Sequence, residues 1–452
     1  MRAGLFLLVF SLACGDDDGP ADVGTDAASI DGQVSMDQQV DLTAVDSALA
    51  DSALADSALA DNALPDSSME VGPNDDQQID AGPRDCLSRL PVDVDLTLAD
   101  ASETNIHPSV AWDGEKLWLT YTTLEPDTSL FDVRIRSIDC DGNLGDEIRV
   151  NDVDGESELD STIAVSGERL IVGYQSDDRS GESDAIRPFV RVFDLDGTPM
   201  NDAVAIARER EGEAITATNW MVQVRAREGG FMAAGTRGVD AVNAFQMYAQ
   251  PLDMDGVPTM DASDLAPTET SQTNPVIGFG EGPWYAWTEL LDAGESVFVA
   301  RLGEAPIELE TGTLFADQPS LAGSLIAFHA GGGSRTDIYV RNLETDAQTT
   351  VGRLSQTDGA ASIAGTTASF VVAWLRNVEG LQHELQYAFG SEVDGEFVMA
   401  TPVVIPTETP VFPYTPAVVA LPNGAFFVAW SETEMSPNLR VHGRFIRPSE
   451  DT

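Results

Sequence analysis

From residue 86 onward, short apolar runs alternate with polar turns, and the alternation itself repeats. Seven runs share one grammar: Leu117–Tyr121, Leu170–Tyr174, Phe231–Gly235, Trp284–Trp287, Leu325–Phe328, Phe370–Trp374 and Phe426–Trp430. Six of the seven end in an aromatic residue, and they recur about every 51 residues, a spacing that suits four-stranded propeller blades. Each is preceded by a run of smaller residues: Pro108–Ala111, Ser161–Ala164, Pro275–Gly278, Pro319–Ala322, Ala361–Ala364 and Pro416–Val419, with Asn219–Val222 as the divergent third. Small side chains fit an innermost strand crowded around an axis. Turn signals such as Asp113-Gly114, Ser166-Gly167 and Asn423-Gly424 separate the runs, so period-two strands joined by hairpins are predicted throughout. No long helical period competes with them.

A closed ring follows from the two ends of this region. The seventh repeat stops after its third strand, Leu439–Phe445, with seven residues left. Ahead of the first repeat, Pro91–Leu98 alternates apolar and polar residues with no repeat of its own. If that strand completes the last blade, no sheet edge is left open. The expectation is therefore an all-β, seven-bladed β-propeller with four-stranded blades over residues 86–452, its N-terminal strand closing the last blade. Cys86 lies just before the closing strand and Cys140 in the first blade's outer turn. A disulfide between them, or two unrelated thiols, are both compatible with that placement.

Residues 15–85 read differently. They hold no Phe, Trp, Tyr or Lys, and 18 acidic residues against the single Arg84. Acids recur at Asp46, Asp51, Asp56, Asp61 and Asp66, a five-residue period that matches neither a helix face nor a strand face. Such a segment buries too little apolar surface to offset its ordering entropy, so residues 14–85 are expected to form a disordered acidic linker spanning roughly 45 Å as a coil. Over the whole chain, 76 acidic residues against 24 basic ones give a formal charge of −52, which argues against nucleic acid as a partner.

The first 14 residues carry a positive Arg2, an apolar Leu5–Phe10 and Ser11-Leu-Ala ahead of Cys14. This stretch resembles a bacterial lipoprotein signal peptide. The resemblance implies removal of residues 1–13, lipidation of Cys14, and an acyl anchor in a membrane outside the cytoplasm, the outer membrane first. Asp16-Asp17-Asp18 is similar to acidic surface-export signals of some bacterial lipoproteins. The repeats themselves resemble those of secreted bacterial propellers, with the tokens Arg134–Gly142, Val190–Gly197 and Leu252–Gly256, each ending in Asp-x-Asp-Gly.

Candidate chemistry is sparse. Each Asp-x-Asp-Gly token suits a tight hairpin. The acidic run Asp152, Asp154, Glu156, Glu158 and Asp160 alternates like a calcium loop, making calcium the one candidate cofactor, although its Gly is misplaced for an EF-hand. The four histidines lie in different repeats. No nucleophile elbow, phosphate loop or dinucleotide fingerprint occurs. Propeller geometry instead directs attention to one end of the channel, where the inner strands begin and the second strands end. His107, Asp160, Asn274 and Gln318 are expected at inner-strand entrances, and Arg237, Glu289, Arg376 and Glu432 two positions beyond the repeat landmark. Two functions are compatible with that funnel. One is a binding or scaffold module for glycan, peptide or protein ligands; the other is a carboxylate-based, calcium-assisted hydrolase or lyase.

Overall fold

The computed structural model describes residues 86–448, apart from 100–103, 126–129, 153–155, 178–185, 207–218, 240–243, 310, 314, 333–334, 352–356, 380–381, 408–414 and 436–437. Seven antiparallel blades follow one another, at 104–149, 157–205, 219–264, 271–308, 315–350, 357–405 and 417–446. In the first, strands Thr104–Trp112, Leu117–Leu124, Phe131–Ile138 and Ile148–Arg149 pair in chain order from the axis outward. The protein is an all-β, seven-bladed propeller. Among the described residues, no helix is long and apolar enough to cross a membrane.

The ring closes as the sequence pattern implies. Asp95–Ala99 pairs antiparallel with Asn438–Ile446, matching Leu96 to Gly443 and Thr97 to His442. Arg444 reaches Asp95 at 2.6 Å, and Asp93 donates its backbone N–H to Phe445 O at 2.8 Å. The last blade thus draws its outer strand from the start of the domain, which leaves no unpaired edge at the seam. Cys140 is disulfide-bonded, and Arg89 pairs with Asp141 at 2.9 Å, which holds the chain just after Cys86 against the turn carrying Cys140.

The apolar residues do not form one core. They divide into seven clusters, one in each seam between neighbouring blades. Each landmark aromatic packs against the preceding blade: Tyr174 against Val133, Trp287 against Met247, Trp374 against Ile338 and Trp430 against Leu385. Strand alternation then assigns the next residue to the opposite face, toward the following blade. Blade three departs from the aromatic rule at Gly235. Opposite it in the strand pairing stands Tyr248, and a Cβ on Gly235 would lie 2.7 Å from the Tyr248 hydroxyl. The ring at the landmark's level therefore comes from the third strand instead of the second.

The Asp-x-Asp-Gly tokens are turns. In each, the leading Asp accepts two backbone N–H groups through Oδ1: Asp139 from Asp141 and Asn143, Asp194 from Asp196 and Thr198, Asp253 from Asp255 and Val257. The Gly takes a left-handed φ of 83°, 82° or 74°, which a residue with a Cβ adopts only at a cost.

Candidate functional site

One irregularity repeats around the axis. In six of the seven inner strands the register with the second strand slips, between Ile106 and Ser109, Leu159 and Thr162, Trp220 and Gln223, Thr273 and Val276, Asp317 and Ser320, and Gly359 and Ser362. Two residues there oppose one, which is a β-bulge. The first of the two has a left-handed backbone in every case: His107, Asp160, Met221, Asn274, Gln318 and Ala360, with φ between 51° and 57°. None is glycine, so each costs about 1–3 kcal/mol of backbone strain. In His107, Asn274 and Gln318 a proline follows, which pushes the preceding residue further toward extended backbone.

The bulges place four of the eight sequence-nominated site residues at equivalent positions of the ring. They lie within the inner strands and not at their entrances: the strands begin three residues earlier, at Thr104, Ser157, Ser271 and Phe315. His107 and Asp160, from neighbouring blades, form an ion pair with Nδ1 2.5 Å from Oδ1. Gln175 donates to the other Asp160 oxygen and accepts the Met221 N–H at 3.4 Å, linking blades two and three. Burial alone would raise the Asp160 carboxyl; the His107 charge and the hydrogen bonds from His107 and Gln175 outweigh it and hold the group below its ordinary range. Asn274 donates to Asp317 Oδ1 at 2.8 Å, and the same oxygen accepts from Thr288 Oγ1 at 2.6 Å and from the Gln318 N–H at 2.6 Å.

The other four nominated residues are held elsewhere. Two positions beyond the landmark means the same strand face as the aromatic, so these side chains enter the seams and not the channel mouth. Glu432 accepts the Trp430 indole N–H at 2.8 Å, and Glu289 accepts that of Trp287 at 3.2 Å. Buried indoles need such acceptors. Arg237 pairs with Asp264 at 2.6 Å, and Arg376 with the fully buried Asp358 at 2.8 Å. The convergent eight-residue funnel is corrected to a ring of bulge residues backed by the position after the landmark, which supplies Gln175, Thr288 and His329. Sequence reasoning passed over these three and Asp317. The parity of the strand was the available signal.

His329 is buried, its Nδ1 has no hydrogen-bond partner among the described residues, and burial holds its pKa below the ordinary range against the pull of Asp317. It is therefore a neutral imidazole, tilted against Phe315 with ring centroids 5.3 Å apart.

The described residues of the acidic run do not assemble a calcium site. Asp152 accepts the Ala203 N–H at 3.1 Å, Glu156 accepts Ser176 Oγ at 2.7 Å, and Asp160 belongs to His107 and Gln175. Glu158 is buried at 1% exposure, and burial, reinforced by Asp132, pushes its carboxyl up to about 8. A group protonated at neutral pH is a poor ligand for a hard cation. Asp154 lies outside the described residues. Among the described residues, no group of three or more His, Cys, Asp or Glu is placed to hold a metal ion.

No family model matches the chain. No curated protein matches it either. Among solved structures, it is similar to an α-L-arabinanase of Penicillium chrysogenum complexed with arabinobiose, at 13% identity and TM-score 0.47, over 78% of this chain and 97% of that one. An α-L-arabinofuranosidase of Fusarium graminearum gives 10% identity and 0.48, over 80% and 99%. A Trypanosoma rangeli sialidase in complex with sialic acid gives 12% and 0.43 over 65% of this chain, which spans 56% of that enzyme. Likeness at this level says nothing about what this chain binds.

Proposed function

We propose that this propeller is a binding module whose ligand sits on the bulge ring at the channel mouth. The observation that carries the reading is the repetition of a strained, left-handed, non-glycine residue in six blades. Glycine would relieve the backbone at each position, yet His107, Asp160, Asn274 and Gln318 present four different polar side chains instead. Constant backbone with varied side chains is what recognition asks of a ring, and strain retained at one locus is a reason to look for function there. The ligand class we favour is a hydroxyl-rich glycan. Amides both donate and accept, as hydroxyls do, and Asp160 is already engaged by His107 and Gln175, so the mouth suits a neutral polar molecule better than a cation.

The same proposal takes Cys14 as a lipid-anchored residue and the acidic linker as a stalk that displays the ring outside the cytoplasm. Support for this comes from the sequence pattern alone, since residues 1–85 lie outside the described ones. Retention of the protein on a glycan array, lost when ring residues are replaced, tests the binding reading; metabolic labelling with a palmitate analogue, compared with Cys14→Ser, tests the anchor.

A further inference from the structure

The seam between blades four and five lacks a device that other seams possess. Two residues before the bulge, a buried polar side chain reaches back to the preceding blade in blades one and four. Asn105 donates to Leu439 O at 3.5 Å. Gln272 accepts the Met247 N–H at 2.7 Å and donates to Ala266 O at 2.8 Å. Glu158 and Asp358 occupy the same position in blades two and six, buried at 1% and 0% exposure. One residue earlier, Ser157 and Ser271 accept the N–H groups of Phe131 and Phe245. In blade five both positions are apolar, Phe315 and Ala316. Phe315 turns to His329, and Ala316 is too short to fill the space.

A cavity of about 200 Å³ opens where the cap is missing, lined by Glu295, Glu308, Ser296, Thr311, Thr313 and Ala316 among others. Among the described residues that line it, none is basic. Ser296 donates to Glu308 Oε1 at 2.8 Å, while among the described residues no side chain hydrogen-bonds to the Glu295 carboxylate. Glu295 shares its strand face with Val297 and Val299 of the seam core, so it stands at the inner wall and not on open surface.

We propose that this seam cavity binds the primary ammonium group of an organic cation, with Glu295 as its counter-ion. Threonine hydroxyls beside the carboxylates of Glu295 and Glu308 offer the several acceptors that an ammonium's three N–H donors require. A calcium ion would need six to eight oxygens, and among the described residues no cluster of three metal-ligating side chains lies here. The missing counter-charge is visible in the carboxyl itself: burial, then the nearby Asp317, push Glu295 up to about 7. The titratable groups around it are Asp317 on the blade-five inner strand, Glu308 on the blade-four outer strand and, beyond Asp317, the neutral His329. An ammonium would lower the Glu295 pKa, so its binding releases a proton near neutrality.

The cavity is separate from the bulge ring, and the inference does not rest on the glycan reading. Its test is calorimetric titration of the full chain with n-butylamine, with a lysine-containing tripeptide amide, and with n-butanol as the neutral control. Saturable binding of an amine but not the alcohol is expected, tightening about tenfold from pH 6 to pH 8 as Glu295 ionises, with buffer-dependent heat from the released proton. Preference for the tripeptide over butylamine would identify a protein side chain as the source, and the reverse a free amine. Two variants guard against misfolding. Ala316→Gln supplies the missing cap, as Gln272 does next door, and should abolish binding while the melting temperature holds or rises. Glu295→Gln should weaken binding at pH 8 at least tenfold and remove its pH dependence. Equal binding of butanol, no binding of either amine at millimolar concentration, or amine binding unchanged in Ala316→Gln would overturn the proposal.

Discussion

Asn274 donates its side-chain amide to Asp317 across the seam between blades four and five, at 2.8 Å. Asp317 also accepts Thr288 Oγ1 and the Gln318 N–H through the same oxygen, so one carboxylate fixes two consecutive bulges. Asp317→Ala leaves three donors without this partner. A loss of about 2–3 kcal/mol is expected, readable as a lower denaturant midpoint with an unchanged slope. An unchanged midpoint would show that the bulges hold without it.

Glu158 sets a pH dependence whose sign is fixed. Its folded pKa of about 8 lies above the ordinary glutamate range, so between the two values the folded state holds a proton that the unfolded chain has released. The stability this proton supports is complete at low pH and is lost as pH rises through 8. Thermal melts of Glu158→Gln should be flatter than wild type between pH 5 and pH 9, by about 2–5 kcal/mol at most. Parallel curves for the two proteins would contradict the buried, protonated carboxyl.

Gly235 and Tyr248 share the space that a single aromatic fills in other blades. Adding one methyl, Gly235→Ala, should cost about 1–3 kcal/mol because the Tyr248 ring has nowhere to move. Combined with Tyr248→Ala, the second cost should be less than additive, a coupling that a double-mutant cycle measures.

Cys140 is covalently tied, and the Arg89–Asp141 pair holds the segment that follows Cys86 beside its turn. Cys86→Ser and Cys140→Ser should each lower stability by about 2–4 kcal/mol and by the same amount, with Cys14→Ser neutral. Unequal losses at Cys86 and Cys140 would mean that they are not partners.

The ring was legible in the chain because a propeller writes itself seven times. Landmark aromatics such as Tyr121 and Trp430 recur with the seam they fill, and Pro91–Leu98 stands out as a strand without a repeat. The bulges were written less openly. Pro108, Pro275 and Pro319 were read as strand starts, yet a proline inside a longer strand is tolerated where a bulge or an edge removes its need for a donor. His107, Asn274 and Gln318, which precede these prolines, are the left-handed residues of the bulges. Arg237, Glu289, Arg376 and Glu432 lie on the landmark's strand face, inside the seams, where Glu289 and Glu432 accept the indole N–H groups of Trp287 and Trp430. Asp317 and Glu295 carried no local motif. Their roles arise between blades, from a cap that is present as Gln272 and missing at Ala316, and only the assembled seam displays that.

Gln318 offers the most direct test of the binding ring. Its backbone is left-handed, and among the described residues its side chain makes no hydrogen bond, so replacement by glycine removes recognition chemistry while relieving strain. The measurement is retention of wild type and Gln318→Gly on an array of plant, microbial and animal glycans, with melting temperatures recorded alongside. The account predicts a discrete set of glycans held by wild type and lost by the variant, whose stability is unchanged or about 1 kcal/mol higher. Equal retention by the two proteins, or no glycan held by wild type, would contradict it.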